Sequence, residues 1–292
     1  MNRKLSFGDK ILHAFIVCIM LAVIVITLYP FWYVLVASFS DAEKLNLARG
    51  IILLPQGVSL QAYQVIFQDT LIWKSYGNTI LYTVAGTLLN IVLTTIGAYA
   101  LSRRQLIGKS VIMKLLVFTM YFNGGLIPTF LLMDNLGLID NRLVMILPNA
   151  ISVYNLIILR TAFLSVPHAL EEAAIIDGAS PIRILVNVIL PLTLPSIMVI
   201  GLFYMVGHWN SYFNAMIYLR DSDKYPLQLV LRNLLIENNM EETMGSFSFI
   251  DQRIAETVKY AAIIVSVIPV FVVYPFVQKF FVQGAMIGSI KE

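Results

Sequence analysis

Long apolar stretches separated by short groups of charged residues form the main pattern of this chain. A helix that crosses a hydrocarbon core of about 30 Å needs about 20 mostly apolar residues. The sequence therefore predicts six membrane-spanning helices. They lie at about residues 12–39, 75–102, 113–133, 143–163, 184–215 and 260–280. The first is about twice as long as the apolar region of a secretory signal peptide, which has about 7–15 residues, so we expect it to be retained.

Six crossings place both termini on one side of the membrane, and the positions of Lys and Arg indicate which side. The short loop after the second span carries Arg103, Arg104 and Lys109. Because cytoplasmic loops are enriched in basic residues, we expect cytoplasmic N and C termini. The expected long loops are residues 40–74 outside, with one short helix at about 60–67, residues 164–187 inside and residues 220–259 outside. The predicted fold class is all-α integral membrane, as a single transmembrane domain over residues 1–292.

Composition narrows the class of protein further. Of the 292 residues, 59% are hydrophobic and 13% are charged, and the mean hydropathy is +0.81, whereas soluble domains have about 25% charged residues. This composition excludes a soluble enzyme, a disordered tail and a nucleic-acid-binding module. The net charge of +3 is too small for a polyanion-binding surface. Cys18 is the single cysteine and cannot form a disulfide within the chain.

Residues that carry enzyme or metal chemistry are scattered along the sequence. The three histidines lie far apart and form no cluster with cysteine, so we expect no metal site and no catalytic residue. Gly108-Lys109-Ser110 is similar to the end of a Walker A loop, but Arg103 stands where that loop needs glycine. If the protein uses ATP, we therefore expect a separate chain to hydrolyse it.

Each predicted span is built on a window without Asp, Glu, Lys or Arg, at residues 11–40, 75–102, 115–133, 143–159, 184–219 and 260–278, and Lys114, Arg160 and Lys279 lie only near span ends. Ion-coupled carriers generally use such groups inside the membrane to bind the driving ion. The pattern therefore disfavours an ion-coupled secondary carrier, although the backbone carbonyls of a broken helix can hold sodium. A secondary carrier and a membrane-embedded enzyme are the alternatives from other functional classes.

The inner loop, residues 164–187, has the most specific local pattern, and we call it the motif loop. Strong helix formers from Ala169 to Ile176 predict a helix, which Gly178 ends with a left-handed residue. Ser180 can cap a second helix with Pro181 in its first position. The predicted apolar face of the first helix consists of Leu170, Ala173, Ala174 and Ile176. Two short helices joined by a tight turn suit a rigid projection that fits a groove on a partner protein.

The motif loop also carries a family resemblance. Glu172-Ala173-Ala174, followed by Gly178, Val188 and Leu190-Pro191, resembles the EAA motif of permease subunits of binding-protein-dependent ABC importers. The family usually has Ile where Val188 stands. The matching residues of the form common in sugar importers are Asp177, Ala179 and Pro195.

Other segments resemble the carbohydrate branch of this family, which includes the smaller maltose-type permease. These are Trp209-Asn210 and the C-terminal segment at residues 281–291, while Ala215 departs from the proline that many sugar permeases carry. Residues 123–128 and 225–232 are similar to the group that handles complex oligosaccharides, some of them acidic.

The resemblance implies the fold of an ABC type I importer permease, in a non-catalytic subunit that sits in the cytoplasmic (inner) membrane and helps to import an oligosaccharide by alternating access. It implies a second, homologous permease chain, two copies of a cytosolic ABC ATPase that bind ATP and Mg, and an extracytoplasmic sugar-binding protein. It implies no cofactor in this chain and no nucleic-acid partner. Import of another solute stays as an alternative. The residues implied to couple to the ATPase are Glu171, Glu172, Ala173, Ala174, Asp177, Gly178, Ala179 and Pro191.

A sugar path through a membrane protein needs polar and aromatic groups that face the interior of the helix bundle. The candidates are Tyr121, Asn123, Asn149, Tyr154, Asn155, Asn210, Tyr212 and Asn214. The same residue types also occur in packing between helices and at membrane interfaces. As a set they predict a polar lumen.

Overall fold

Helices form nearly all of the regular structure in a computed structural model of the chain, which describes residues 7–103, 105–236 and 254–289. The helices are α1 (Phe7–Ser38), α2 (Ala42–Leu47), α3 (Gln61–Gln68), α4 (Thr70–Ser102), α5 (Lys109–Tyr121), α6 (Leu126–Asn135), α7 (Val153–Leu164), α8 (His168–Ile176), α9 (Pro181–Ile184), α10 (Leu190–Trp209), α11 (Phe213–Tyr218), α12 (Leu227–Ile236) and α13 (Ala255–Ser289). The described part of the chain contains no strand beyond one isolated bridge between Ser40 and Val58. The predicted all-α fold class is confirmed.

Within the described residues, four helical segments are long and apolar enough to cross a membrane, and two bent pairs of helices raise the number to six if each pair is one span. The long segments are Gly8–Ser38, Thr70–Ser102, Pro181–Trp209 and Ala255–Pro275. The bent pairs are α5 with α6 and α7 with α8. Arg104, residues 237–253 of the predicted 220–259 loop and Lys291 of the C-terminal motif lie outside the described residues.

The prediction that residues 113–133 form a single helix is wrong. α5 and α6 meet at an angle of 110° across residues 122–125. Gly125 has a φ of +82° and its N–H donates to Asn123 Oδ1 over 3.0 Å. Pro128 then lies in the first turn of α6, where a missing N–H is tolerated. The Gly-rich turn outweighs the apolar pattern because Gly124 and Gly125 are poor residues for a helix interior.

The prediction of a helix over all of residues 143–163 is also wrong, because α7 begins only at Val153. The preceding stretch is a short 3₁₀ turn at Arg142–Met145 followed by irregular backbone. Pro148 disfavours helical backbone at the residue before it. Ser152 then caps α7 by accepting a hydrogen bond from Asn155 N over 3.4 Å. This span is therefore only half helical along its predicted length.

The fifth predicted span, residues 184–215, starts earlier and ends earlier than expected. Helical backbone runs from Pro181 through a π-helical turn at Leu185–Ile189 into α10, and α10 ends at Trp209. In the π turn the Leu190 N–H donates to the carbonyl of Leu185, five residues earlier. Pro191 follows directly and lacks the N–H that an α-helical turn would use, which favours this local change of pairing.

The loop at residues 40–74 contains two helices, where the sequence predicted one. α3 is the predicted short helix, displaced by one residue. α2 was not predicted, although Asp41 gives a clear capping signal: its Oδ1 accepts from the backbone N–H groups of Glu43 and Lys44 at 3.1 and 3.2 Å.

The chain groups into two compact units, which we describe separately. The first contains residues 1–70 and 234–268. Its core joins the end of α1 to α2 and the following loop through Val36, Ala37, Leu45 and Ile52. Most of the large apolar side chains of α1 are exposed, as expected for a surface that faces lipid or another subunit.

The second unit contains residues 71–233 and 269–292. Two apolar cores lie among its described residues. One surrounds Tyr82, Val144 and Tyr218, and the other surrounds Ala98, Phe163 and Ile189. Because both cores include residues of α4, this helix is the common support of the unit. The prediction of one integral domain stays a prediction.

Candidate functional site: the motif loop and a polar cavity beside α4

The motif loop has the local structure that its sequence predicts. Gly178 has a φ of +75°, and its N–H donates to the carbonyl of Ile175 over 3.0 Å. The N–H of Ala179 donates to the carbonyl of Ala174 over 2.9 Å. This pair of bonds is a Schellman motif, which satisfies the last carbonyls of α8. Ser180 caps α9 as predicted, with its hydroxyl accepting from Arg183 N over 3.4 Å.

The predicted apolar face of α8 is divided between two environments. Ala174 and Ala179 pack against the core around Phe163 and Ile184. Ala174 is therefore partly buried against the chain's own core, and its predicted role in coupling to the ATPase stays a prediction. The exposed apolar side chains around the turn between α8 and α9 include Leu170, Ala173, Ile175, Ile176 and Ile182. Ile176 is 84% exposed at the end of α8.

The two adjacent glutamates of the motif point to different partners. Glu171 forms an ion pair with Arg103, which follows α4, and its side chain is only 13% exposed. Glu172 is 66% exposed, and its Oε1 lies 3.3 Å from His168 Nδ1 one turn earlier on α8. Asp177 is exposed at the turn, and Pro191 lies beyond the loop, in the first turn of α10. The surface available to a partner is therefore built from Glu172 and Asp177, with exposed apolar residues beside them.

A cavity of about 440 Å³ lies elsewhere in the second unit, between α7 with its preceding segment and α10. Its walls are formed by Met145, Asn149, Ile151, Ser152, Asn155, Phe203, Tyr204, Gly207, His208 and Ser211. Asn149 and Asn155 come from the predicted substrate path. The structure does not bring the rest of that set to this cavity: Tyr121, Asn123, Tyr154, Asn210, Tyr212 and Asn214.

Some of these other residues have clear local roles. Asn123 forms the turn between α5 and α6. The Asn210 side chain donates to the carbonyl of Val206 over 3.0 Å at the end of α10. Tyr121 is 77% exposed at the end of α5. Two candidates, Asn149 and Asn155, thus line the cavity, whereas Asn123 and Asn210 bond to nearby backbone.

Asn90 and Tyr204 hold the irregular backbone that precedes α7. The Asn90 side-chain nitrogen donates to the carbonyls of Asn149 and Ala150 at 2.7 and 2.8 Å. The Tyr204 hydroxyl accepts from Ser152 N over 2.9 Å. Non-helical backbone inside a membrane protein needs such partners, because lipid supplies none. The sequence prediction did not include Asn90 or Tyr204.

His208 completes this arrangement from α10. Its Nε2 lies 2.6 Å from Asn90 Oδ1. Because the Asn90 nitrogen already donates to two carbonyls, its oxygen is the acceptor and His208 Nε2 carries the proton. A methyl group at Gly86 would overlap the imidazole ring, so only glycine at this point of α4 permits the approach. A glycine four residues before a polar residue in an apolar helix was the available sequence signal.

Near the N-terminal end of α4, Asp140 binds the segment that follows α11. Its carboxylate accepts from the backbone N–H groups of Arg220 and Asp221, both at 3.1 Å, and from Lys224 Nζ at 2.7 Å. The bond to Lys224 and these two backbone bonds lower the pKa of Asp140 to about 2. The same contact raises the pKa of Lys224. Among the described residues, no three His, Cys, Asp or Glu side chains are grouped to hold a metal ion.

α4 fixes the same segment through its neutral side chains. The Asn78 nitrogen donates to the carbonyls of Asp223 and Tyr225 at 2.8 and 3.1 Å. The Tyr82 hydroxyl donates to the carbonyl of Lys224 over 2.8 Å, and Leu227 N donates to Thr79 Oγ1 over 2.8 Å. The two ends of α4 therefore hold different loops of the second unit.

Comparison with known proteins identifies the protein family of this chain. Residues 109–286 match the model of the binding-protein-dependent transport system inner membrane component. The polygalacturonan/rhamnogalacturonan transport system permease protein YtcP of Bacillus subtilis is 43% identical over 284 residues, with 97% of this chain and 98% of YtcP covered. Protein LplC of the same organism is 39% identical, with 91% and 90% covered.

Solved structures agree with this match. A chain of a bacterial ABC transporter involved in the import of the acidic polysaccharide alginate is 37% identical, with a TM-score of 0.89 and coverage of 96% of this chain and 100% of that one. A chain of a bacterial alginate ABC transporter in complex with alginate pentasaccharide-bound periplasmic protein, at 16% identity and a TM-score of 0.53, shares the fold. The described helices and the motif loop are thus those of a transport subunit. This chain belongs to the family of binding-protein-dependent transport system inner membrane components, the permease subunits of ABC importers.

Proposed function

We propose that this permease imports an oligosaccharide that contains uronic acid residues. The observation that carries the proposal is the similarity over nearly the whole chain to YtcP, named for polygalacturonan and rhamnogalacturonan, and to the alginate importer. Galacturonan and alginate are both built from sugars that bear carboxylates. More distant relatives are named for neutral arabinooligosaccharides, which makes neutral sugars the natural comparison in a test.

The complete transporter, in this proposal, lies in the cytoplasmic membrane with both termini of this chain in the cytoplasm. It pairs this chain with a second, homologous permease, two copies of a cytosolic ABC ATPase and an extracytoplasmic sugar-binding protein. ATP and Mg bind to the ATPase, and this chain carries no cofactor and no catalytic residue. The alginate-transporter structure that contains a periplasmic protein supports the binding-protein partner.

The motif loop is the proposed contact with the ATPase. Its exposed side combines Glu172 and Asp177 with Ile175 and Ile176, a small apolar surface that carries two acids. Such a surface suits a groove that has an apolar floor and basic edges. Closure of the ATPase dimer would then move α8 and α9 together and switch the permease between inward-facing and outward-facing states.

The cavity between α7 and α10 is the proposed sugar-contacting region of this chain. It exposes amide, hydroxyl and imidazole groups, and Phe203 offers an aromatic surface. Hydrogen-bonding groups together with a ring are the usual means of binding sugars. Its volume is within the range of about 300–1,000 Å³ typical of small-molecule sites. The lining contains no Lys or Arg, so we expect recognition of hydroxyl groups here and no ion pair with a uronate.

The direct test is uptake by proteoliposomes that contain the complete transporter, with tri-galacturonate and a neutral arabinotriose as alternative substrates. We expect uptake of tri-galacturonate that requires both ATP and the binding protein, at a rate at least tenfold above that of the neutral sugar. Equal uptake of both sugars would contradict the uronate proposal. Uptake that stops when the ion gradient is collapsed at constant ATP would instead favour a secondary carrier.

The cavity is tested separately with Asn155→Ala, which removes a lining amide. We expect a KM for the imported sugar at least threefold higher, with coupled ATP hydrolysis retained. Tyr154→Phe is the matched control, because Tyr154 is the neighbouring residue, is 58% exposed and does not line the cavity. An unchanged KM in Asn155→Ala would remove this cavity from the sugar path.

A further inference from the structure

The last turn of α4 is connected to every part of the motif-loop region. Arg160 of α7 donates through Nε to the carbonyl of Leu101 over 3.0 Å. The Tyr99 hydroxyl donates to the carbonyl of Pro181, the first residue of α9, over 2.9 Å. Arg103 holds Glu171 of α8. The end of α4 and the adjoining Arg103 thus contact α7 through the Leu101 carbonyl, and α8 and α9 through the side chains of Arg103 and Tyr99.

Arg103 is fixed in one orientation by several groups. Its guanidinium carbon lies 4.4 Å from the centre of the Tyr99 ring, a cation–π arrangement. Its Nε and Nη2 both donate to Ser102 Oγ, at 3.1 and 2.9 Å, which leaves Nη1 for Glu171. Only a planar group with several donors can make all of these contacts together.

The pair is also shielded from solvent. The Arg103 side chain is 24% exposed and the Glu171 side chain is 13% exposed. An ion pair at a freely exposed site contributes little, because water and salt screen it. Here removal of one partner would leave the other partly buried and unpaired, which is costly. By contrast, Glu172 next to it is mostly exposed and free to meet another protein.

We propose that Arg103 and Glu171 form an internal latch that joins α8 to α4. Glu171, in this inference, acts on Arg103 within the chain and does not contact the ATPase, whereas Glu172 does. The latch makes α8 and α4 move as one rigid body. When the ATPase displaces the exposed side of α8, α4 is displaced with it. The inference rests on the proposed function in two respects, the docking of α8 on the ATPase and the role of the cavity between α7 and α10 in the sugar path.

The latch has a direct consequence for the cavity. Asn90, which holds the backbone before α7, lies on the same helix 13 residues before Arg103, a distance of about 20 Å along α4. A displaced α4 would move Asn90 and its bonds to Asn149 and Ala150. Arg103 and Glu171 are therefore positioning residues that act on the sugar path through α4.

Exchange of the two charges tests the latch. In the assembled transporter, Glu171→Arg and Arg103→Glu should each lower sugar uptake at least tenfold. The double variant Arg103→Glu/Glu171→Arg should recover at least a third of wild-type uptake, because the opposite charges meet again. The matched control is Arg103→Glu/Glu172→Arg, which should recover nothing.

The decisive measurement is the number of sugar molecules imported per ATP molecule hydrolysed by the assembled complex. The single variants should lower this ratio at least threefold, whereas a purely structural defect would lower the amount of complex and leave the ratio unchanged. If a charge reversal prevents assembly, Glu171→Gln replaces it, with the same expected fall in the ratio. A double variant as defective as Glu171→Arg, or an unchanged ratio in the single variants, would overturn the latch. Uptake by the wild-type complex in the same assay shows separately whether the proposed function stands.

Discussion

The two ends of α4 hold their loops by different chemistry. At the end near Thr70, Asn78 and Tyr82 donate to backbone carbonyls of the segment at residues 223–225. Lys74 adds only an exposed ion pair with Asp223 there. At the end near Ser102, Tyr99 donates to the carbonyl of Pro181, and Arg103 forms an ion pair with the largely shielded Glu171, while the surface beyond exposes Ile175 and Ile176. Neutral donors therefore carry most of the contacts at the first end, whereas a shielded charge pair joins the second end to α8.

Under the proposed function, this difference separates a fixed end from an end that receives the ATPase. Around Asp140, the carboxylate and Lys224 satisfy each other, and the apolar core around Tyr82 closes the region. Around the motif loop, apolar side chains remain exposed and one of the two acidic groups, Glu172, has only a local contact. Exposed apolar side chains on one projecting loop are typical of a protein-binding surface. We therefore expect substitutions at the two ends to affect different measurements.

The largest effect should come from Gly86, halfway along α4, because its loss disturbs the support that both ends share. Gly86→Ala would push a methyl group into the His208 ring and break the bond between His208 and Asn90. Overpacking of this kind costs about 1–3 kcal/mol. We expect a lower thermal unfolding midpoint in detergent and a loss of uptake.

Gly77→Ala is the control on the same helix, since a methyl group there meets no atom within 4 Å. It should leave uptake unchanged, and it should leave the unfolding midpoint unchanged or raise it slightly. Equal effects of the two substitutions would show that the close approach of His208 is unimportant.

The next largest effect should fall on the motif-loop end alone. Gly178 is left-handed at φ +75°, with open space where a side chain would lie, so the backbone conformation is the only constraint. A β-branched residue in this conformation costs at least about 1–2 kcal/mol. We expect Gly178→Val to reduce sugar-stimulated ATP hydrolysis at least tenfold. Its insertion into the membrane and its thermal unfolding midpoint should stay close to those of the wild type.

The conservative control at this position is Gly178→Asn, because asparagine tolerates the left-handed region. We expect it to retain most of the coupled activity, and Gly178→Asp to lie between the two, since it adds a charge at the docking surface. Normal transport by Gly178→Val would mean that the turn between α8 and α9 does not position the loop on the ATPase.

Local chemistry made the motif-loop end predictable from sequence. Gly178, Ser180 and Pro181 each act within three residues of themselves, and the structure has the turn, the cap and the helix start that they predict. The breaks in the third and fourth spans also had local signals, Gly124-Gly125 and Pro148. The bounds of these spans came from a count of apolar residues, which does not distinguish one helix from two short helices joined by a turn.

Contacts between distant residues explain what the sequence did not predict. Asn90 and His208 are 118 residues apart, and Arg103 and Glu171 are 68 residues apart. Which polar residue of a span faces a neighbouring helix depends on how the helices pack, and no local pattern determines this. The predicted sugar path therefore contained Asn149 and Asn155 of the cavity but also Asn123 and Asn210, whose side chains bond to nearby backbone.

A smaller effect, on stability only, is expected at the Asp140 end. Asp140→Asn keeps an oxygen that can accept from Arg220 and Asp221 but removes the charge that pairs with Lys224. We expect a fall of a few degrees in the unfolding midpoint and normal coupling of ATP hydrolysis to uptake. A loss of coupling in this variant would contradict the separation of a fixed end from a receiving end.

The pH dependence of this variant gives a further check on the same group. The pKa of Asp140 is lowered from 3.8 to about 2 in the folded protein, so its charge stabilises the fold above the unfolded value. That contribution is lost as the pH falls from about 4 towards 2. The difference in unfolding midpoint between wild type and Asp140→Asn should therefore be constant above about pH 4 and shrink below it. A difference that persists unchanged at pH 2 would assign the effect to the shape of the side chain.

The smallest effect is expected from Glu172, since its side chain is 66% exposed and an exposed ion pair contributes at most about 1 kcal/mol. Glu172→Lys reverses the charge on the docking surface, so we expect two- to fivefold weaker recovery of the ATPase when the permease is purified at low salt. Glu172→Gln should lie between this variant and wild type, and the difference should fade at high salt because screening weakens surface charges. Glu171→Gln, by contrast, should leave ATPase recovery unchanged while lowering uptake, because its partner is Arg103. If Glu171→Gln weakened recovery as much as Glu172→Lys, both glutamates would lie on the docking surface, and the two ends of α4 would differ less than the contacts indicate.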